Sequence, residues 1–311
     1  MNSCFVLMKS LLDNLPPTTC SSSTVTRLNI KLHNIDDCFL LLDGRLSQLH
    51  TLIVKLDFIH DQALLRRLPI ETLCHSIRLS DKTKNFEKLK SFSLIVQHLT
   101  NEFDTLIVRF LRRLVQLETL SLSLRLYQRD TFIDYNYLED ILLNHFICLK
   151  NFHFDIVVDH VIIYDDIRPC FSDIQRTFIE KESHVDGYLD CANHPAGLWR
   201  QCHIYSLPFV FEYMQPITNC FSGGLFRTVT VVWLKDLNNS FEHSFFMKIS
   251  QSFPFIRRLT IANQLKQKQK TKDFLSVIKF SHLIELRCEI VDLDYVEQFL
   301  SSLNTYLPAL T

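Results

Sequence analysis

Residues 117–126 read LETLSLSLRL. From Leu120 onward apolar and polar residues alternate, the period of a strand with one buried face, and Leu117 closes the turn before it. One such strand constrains little. The pattern recurs along the chain, however, and a short strand unit that is repeated buries its apolar face only by stacking on its neighbours.

Val25, Leu28, Ile30 and Leu32 form a first unit, and Leu49, Leu52, Val54 and Leu56 a second. Ile77 and Leu79 mark a degenerate third. Leu89, Phe92, Leu94 and Val96 precede the 117–126 unit, and Leu149, Phe152, Phe154 and Ile156 follow it. Further units are Phe226, Val229, Val231 and Trp233, then Ile256, Leu259 and Ile261, then Leu283, Leu286, Cys288 and Ile290. Second anchors are separated by 24 residues from Leu28 to Leu52, 28 from Phe92 to Leu120 and 32 from Leu120 to Phe152. They are 30 apart from Val229 to Leu259 and 27 from Leu259 to Leu286. Most lie in or just above the period of about 20–29 residues typical of leucine-rich repeats.

Between these strands the spacing turns helical. Phe103, Leu106, Ile107, Phe110, Leu111 and Leu114 follow i, i+3, i+4, i+7, with Asn101 as the expected cap. Tyr295 to Leu303 repeats this after Asp292 or Asp294, and Phe241 to Ile249 does so before Pro254. Asp36 or Asp37 is placed to cap a further helix through Leu42, with Gly44 as its stop. Strand then helix, repeated, requires parallel strands and right-handed crossovers. The expected fold is α/β: an irregular leucine-rich-repeat solenoid, a horseshoe with parallel strands on the concave face and helices on the convex face.

Two departures mark the array. The Asn of the usual LxxLxLxxN unit is missing, its place being taken by His33, Asp57, Gln97, Arg125 and Val157. An Asn ladder is therefore not expected in these turns. The second departure lies between Phe152 and Phe226. There we expect a loop-rich insertion at about 160–198 with one helix, Ser172–Ile179 capped by Ser172, followed by a divergent unit at Trp199–Ser206. Residues 1–23 read as an N-terminal extension, a short helix or linker, and residues 24–311 as the array.

The 33 Lys+Arg and 34 Asp+Glu residues leave a net charge of −1, which argues against a general nucleic-acid binder. Only 5 glycines occur, and no Gly-rich phosphate loop can be drawn. The ten cysteines contain no CxxC, and Cys38, Cys148 and Cys288 fall in apolar runs, as reduced thiols in an intracellular protein do. No apolar run approaches the roughly 18 residues of a membrane span, and none reads as a signal peptide. The expectation is a cytoplasmic or nuclear protein that engages neither membrane nor nucleic acid.

No catalytic motif, and no residue set for a cofactor, is apparent. His184, Asp190, Cys191, His194, Cys202 and His203 contain metal-capable groups, but at no standard zinc spacing. A metal-dependent enzyme in segment 165–203 is the least favoured reading. Asp155, Asp159, His160, Asp165 and Asp166 lack a companion nucleophile, and the run from Lys266 to Lys272 reads as a solvated loop. More information sits in the residues between the anchors. Asn29 and Lys31, Ile53 and Lys55, Ser93 and Ile95, Ser121 and Ser123, His153 and Asp155, and Arg287 and Glu289 are expected on the concave face, where solenoids commonly hold a protein partner. Ile53 and Ile95 would be exposed aliphatics there.

The order of several segments resembles the lineage-expanded F-box/leucine-rich-repeat-like proteins of invertebrates. They are IDDCFLLLDGRL (35–46), FLRRLVQLETL (110–120), DIQRTF (173–178), CHIYSLPFVF (202–211), FFMKISQSFP (245–254) and DYVEQFL (294–300). The resemblance implies a non-enzymatic substrate-recognition part of an F-box-type ubiquitin-ligase adaptor, with a cullin-RING ligase adaptor as partner where an F-box lies upstream. Leu15-Pro16 is the only echo of an F-box start in residues 1–23, and the stop at Thr311 inside a unit predicts a fragment or degenerate copy. The alternative is a repeat scaffold with no ubiquitin connection.

Overall fold

The computed structural model describes residues 22–42, 46–56, 59, 88–161, 170–194, 197–268, 277–302 and 304–310. The chain divides into two compact units, Met1–Ser183 and His184–Thr311. Both are mixed α/β and built mainly on parallel strands.

In the first unit, five strands lie side by side in chain order: β1 (Arg27–Leu32), β2 (Thr51–Leu56), β3 (Ser91–Val96), β4 (Thr119–Arg129) and β5 (Asn151–Val161). Every neighbouring pair is parallel. β2 bonds directly to β3, while Ile77 and Leu79 lie outside the described residues. Along β2 and β3 buried and half-buried residues alternate strictly. Leu52, Phe92 and Leu120 are fully buried and stand in register across β2, β3 and β4. At roughly 1.5–3 kcal/mol per buried side chain, such rows of anchors are the main force holding the strands in register.

Helices pack on this inward side. Phe110 of α2 (Val108–Leu111) meets Phe92 at 5.5 Å between ring centroids. α1 (Ile35–Leu41) and α3 (Tyr135–Ile141) follow β1 and β4. Phe178 of α4 (Phe171–Ile179) meets Phe154 of β5 at 5.4 Å.

Helix starts differ from expectation by a residue or two. Asn34, not Asp36 or Asp37, caps α1 by accepting from the Asp37 amide. A π-helical turn, Phe103–Ile107, leads into α2, and Asn101 caps nothing, because Thr100 Oγ1 already takes the Glu102 amide. α4 begins at Phe171 with Cys170 as its cap, since Asp173 reaches back to the Cys170 amide and leaves Ser172 inside the first turn.

The second unit opens on an antiparallel hairpin, β6 (Val185–His194) and β7 (Gly197–Ser206). The segment expected to be loop-rich at about 160–198 is therefore half strand. Its glycine and prolines hid this strand, whose burial does not alternate regularly, since Val185, Gly187, Tyr188 and Asp190 are all buried. The segment around Trp199 pairs antiparallel with β6 and so does not stand as a parallel repeat toward it.

A four-stranded parallel sheet follows, ordered β12-β10-β9-β8. Its strands are β8 (Tyr213–Ile217), β9 (Val231–Lys235), β10 (Arg258–Ala262) and β12 (Glu285–Cys288), while the short β11 (Ile278–Lys279) and β13 (Thr305–Tyr306) pair separately. An aromatic core lies against α5 (His243–Ser252) and α6 (Leu293–Leu300), with Phe246 at 5.0 Å from Phe299.

The expected anchors Val231 and Trp233 are on the wrong face. Val229, Val232 and Leu234 are fully buried, and Val231 and Trp233 point the other way. A slip of one residue reverses every side chain of a strand, and a run of apolar residues such as VTVVWL hides which set is inward. With Val232 as second anchor, 27 residues separate it from Leu259 and 27 more separate Leu259 from Leu286, the pairs that stand in register. Leu286 is only half-buried and Cys288 is exposed, because β12 is the edge of its sheet.

Candidate functional site

The residues expected on a binding face in the first unit come together. Asn29, Ile53, Ser93, Ser121 and His153 form one continuous in-register row across β1 to β5. Lys31, Lys55, Ile95, Ser123 and Asp155 form the next. All but Asp155 are exposed or half-exposed. The rows lie opposite the face that carries the helices. Strands connected in simple chain order have no point where the order reverses, which is where open α/β sheets make ligand crevices. Among the described residues, the face opposite the helices is what such a sheet offers instead.

Its two ends differ chemically. Lys31 and Lys55 lie on β1 and β2. At the β5 end, Ser123 Oγ donates to Asp155 Oδ2 at 3.1 Å, and Arg125 pairs with Asp159 at 3.3 Å. Burial pushes the Arg125 guanidinium below its ordinary value, opposed by Asp159 and Asp155. Burial also lowers His153. The middle is small and polar: Ser93, Ser121 and Ser123. Just before the strands, Glu118 bridges Lys150 at 2.7 Å and Lys90 at 3.5 Å, and the Lys150 hydrogen bond is the main reason its carboxyl sits low.

Arg125 occupies a position where the usual repeat has Asn. Its Nη1 donates to the Gln97 carbonyl at 3.4 Å, so a cation reaches the neighbouring turn where an Asn ladder is missing. The second unit differs. Asp236 and Asn263 each stand two residues after an inward anchor, Leu234 and Ile261. Asn263 Nδ2 donates to the Asn239 carbonyl at 2.8 Å and its Oδ1 accepts the Leu265 amide at 2.9 Å. Asp236 accepts the amides of Asn219, Asn238 and Asn239. Polar side chains therefore satisfy these turns two residues past the inward anchor, not at the three-residue offset of the LxxLxLxxN pattern.

Arg287 and Glu289 lie in the second unit, where Arg287 pairs with Glu285. The outward row there holds Trp233, Thr260 and Arg287, and beside it Tyr213, Val231, Arg258 and Glu285. Tyr213, Arg258 and Thr260 escaped the sequence reading, and Trp233 was read as an inward anchor. The even 27-residue spacing was the signal that finds Arg258 and Thr260 and sets Trp233 outward.

The metal-capable group does not converge. Asp190 and Cys191 are consecutive on β6, one buried and one exposed. Cys202 is fully buried, and burial pushes its thiol up to about 12, so it stays protonated. His203 Nδ1 lies 3.2 Å from the Tyr188 hydroxyl. Among the described residues no three metal-capable side chains come together. Burial and the neighbouring Asp236 raise the Asp190 carboxyl. Asp165, Asp166, Lys270 and Lys272 lie outside the described residues. Gln267, by contrast, is tied to the Phe241 carbonyl through its Nε2.

Among the described residues, no helix is long and apolar enough to cross a membrane. No protein-family model matches the chain, and no curated protein or solved structure is significantly similar to it.

Proposed function

We propose that this chain is an irregular leucine-rich-repeat solenoid without catalytic activity, whose uncovered sheet face holds a protein partner. One observation carries the reading: ten residues between the anchors fall into two adjacent in-register rows on the sheet face opposite the described helices. Sheets of parallel strands are ordinarily buried on both faces and read as continuous apolar runs. Strict alternation in β2 and β3 is the mark of a one-sided sheet, and parallel strands paired in chain order support a stacked array. Small central side chains let another backbone approach closely, while Ile53 and Ile95 provide apolar contact.

The resemblance to F-box/leucine-rich-repeat-like proteins supports a narrower version, in which the face selects substrates for a cullin-RING ubiquitin ligase in the cytoplasm or nucleus. The test is affinity purification of the wild type beside Ser93→Arg/Ser121→Arg, which fills the centre of the first row. The reading predicts a specific partner that the variant loses with its melting temperature unchanged. Retention of every partner contradicts it. Ubiquitin-ligase adaptor subunits among the retained proteins support the narrower version, and their absence favours a scaffold.

A further inference from the structure

The outward face of the second unit has a different chemistry. β9 and β10 place every other residue away from the aromatic core, and Tyr213 of β8 and Arg287 of β12 stand in register with those outward residues. The result is a surface of Tyr213, Trp233, Lys235, Arg258, Thr260 and Arg287, with Glu285 at its margin. Three cations thus face two carboxylates, Glu285, which is already paired with Arg287, and the exposed Glu289 just past the end of β12. Lys235 Nζ lies 5.6 Å from the centre of the Trp233 ring, so the indole already works as a cation acceptor. Arg258 is exposed, and its guanidinium makes no hydrogen bond or ion pair among the described residues.

We infer that this face docks an extended acidic segment of a protein partner, with carboxylates seated on Arg258 and an apolar side chain laid against Trp233. The occupant follows from charge. An unneutralised guanidinium in the register row next to that of Trp233 presents a forked donor that matches a carboxylate. Trp, Tyr and Arg are also the side chains that dominate protein–protein binding energy. An extended chain fits because successive rows repeat with the pleat of the sheet. A single-stranded nucleic acid would also use cations and rings, but that needs base-stacking faces, and the Trp233 ring is only half-exposed. This inference concerns the second unit and does not rest on the face of the first.

The test pans random twelve-residue peptides on the full chain, synthesises the enriched sequences and measures their binding by fluorescence anisotropy. The expected result is enrichment in Asp and Glu. Binding should weaken about tenfold in Arg258→Ala and in Thr260→Glu and fall with added salt, and Ser93→Arg/Ser121→Arg should leave it unchanged. No enrichment, enriched peptides without acidic residues, or acidic peptides indifferent to Arg258→Ala each overturn it. So does a labelled single-stranded RNA that binds more tightly than the peptides and loses binding in the same variants.

Discussion

Leu120 and Ser121 are neighbours with opposite tasks. Leu120 is fully buried between Phe92 and Phe152 in its row, whereas Ser121 stands half-exposed beside Ser93 and His153. Leu120→Ala should cost about 2–5 kcal/mol as a cavity, and Ser121→Ala within about 0.5 kcal/mol, both measured by denaturant unfolding. Equal costs would mean that the assignment of faces is wrong. His153 adds a pH dependence. Burial lowers its folded-state value below the ordinary one of about 6.5. Above that pH the imidazole is neutral in both states. Below it the unfolded chain takes up the proton first, so stability declines as pH falls until the folded-state group titrates as well. His153→Gln should flatten the melting-temperature profile between about pH 7 and 5. An unchanged profile would remove His153 from the account. The alternation at Leu120 and Ser121 was legible in the sequence because β4 separates large aliphatics from serines without ambiguity. Trp233 was not, because VTVVWL offers two apolar registers and only the neighbouring strands choose between them.

At the scale of elements, anchors and turns divide the labour. Anchors hold strands in register, and polar side chains at strand ends satisfy the turn backbone. In the first unit Arg125 serves the Gln97 turn, and in the second Asn263 serves the Asn239 turn. Asn263 is fully enclosed, so Asn263→Ala strands a carbonyl and an amide and should cost about 1–3 kcal/mol in thermal or denaturant unfolding. A neutral result would show that water replaces both bonds. The helices were legible as elements, because Phe103 to Leu114 and Tyr295 to Phe299 keep their apolar spacing. Their caps were legible only in part: Asp292 caps α6 as the sequence offered, whereas Asn34 and Cys170 take the places expected of Asp36 or Asp37 and of Ser172. The β6 strand escaped notice because its partner, β7, supplies the pairing that its own glycine-interrupted pattern does not announce.

Across the whole molecule, each unit pairs an apolar core with a sheet face that carries no helix among the described residues, and the two faces differ. The first is small and polar in its middle, and the second is aromatic and cationic. Parallel strands make both possible, because each strand brings one inward anchor set and one outward set, and the outward set changes without cost to the core. The most direct test of the uncovered face in the first unit is alkylation of single introduced cysteines, quantified peptide by peptide by mass spectrometry. Cysteines replacing Ser93 and Ser121 should react much faster than those replacing Leu94 and Leu122 in the folded protein, with the difference vanishing in denaturant. Equal protection of all four would mean that this sheet is covered on both sides and has no face to offer a partner.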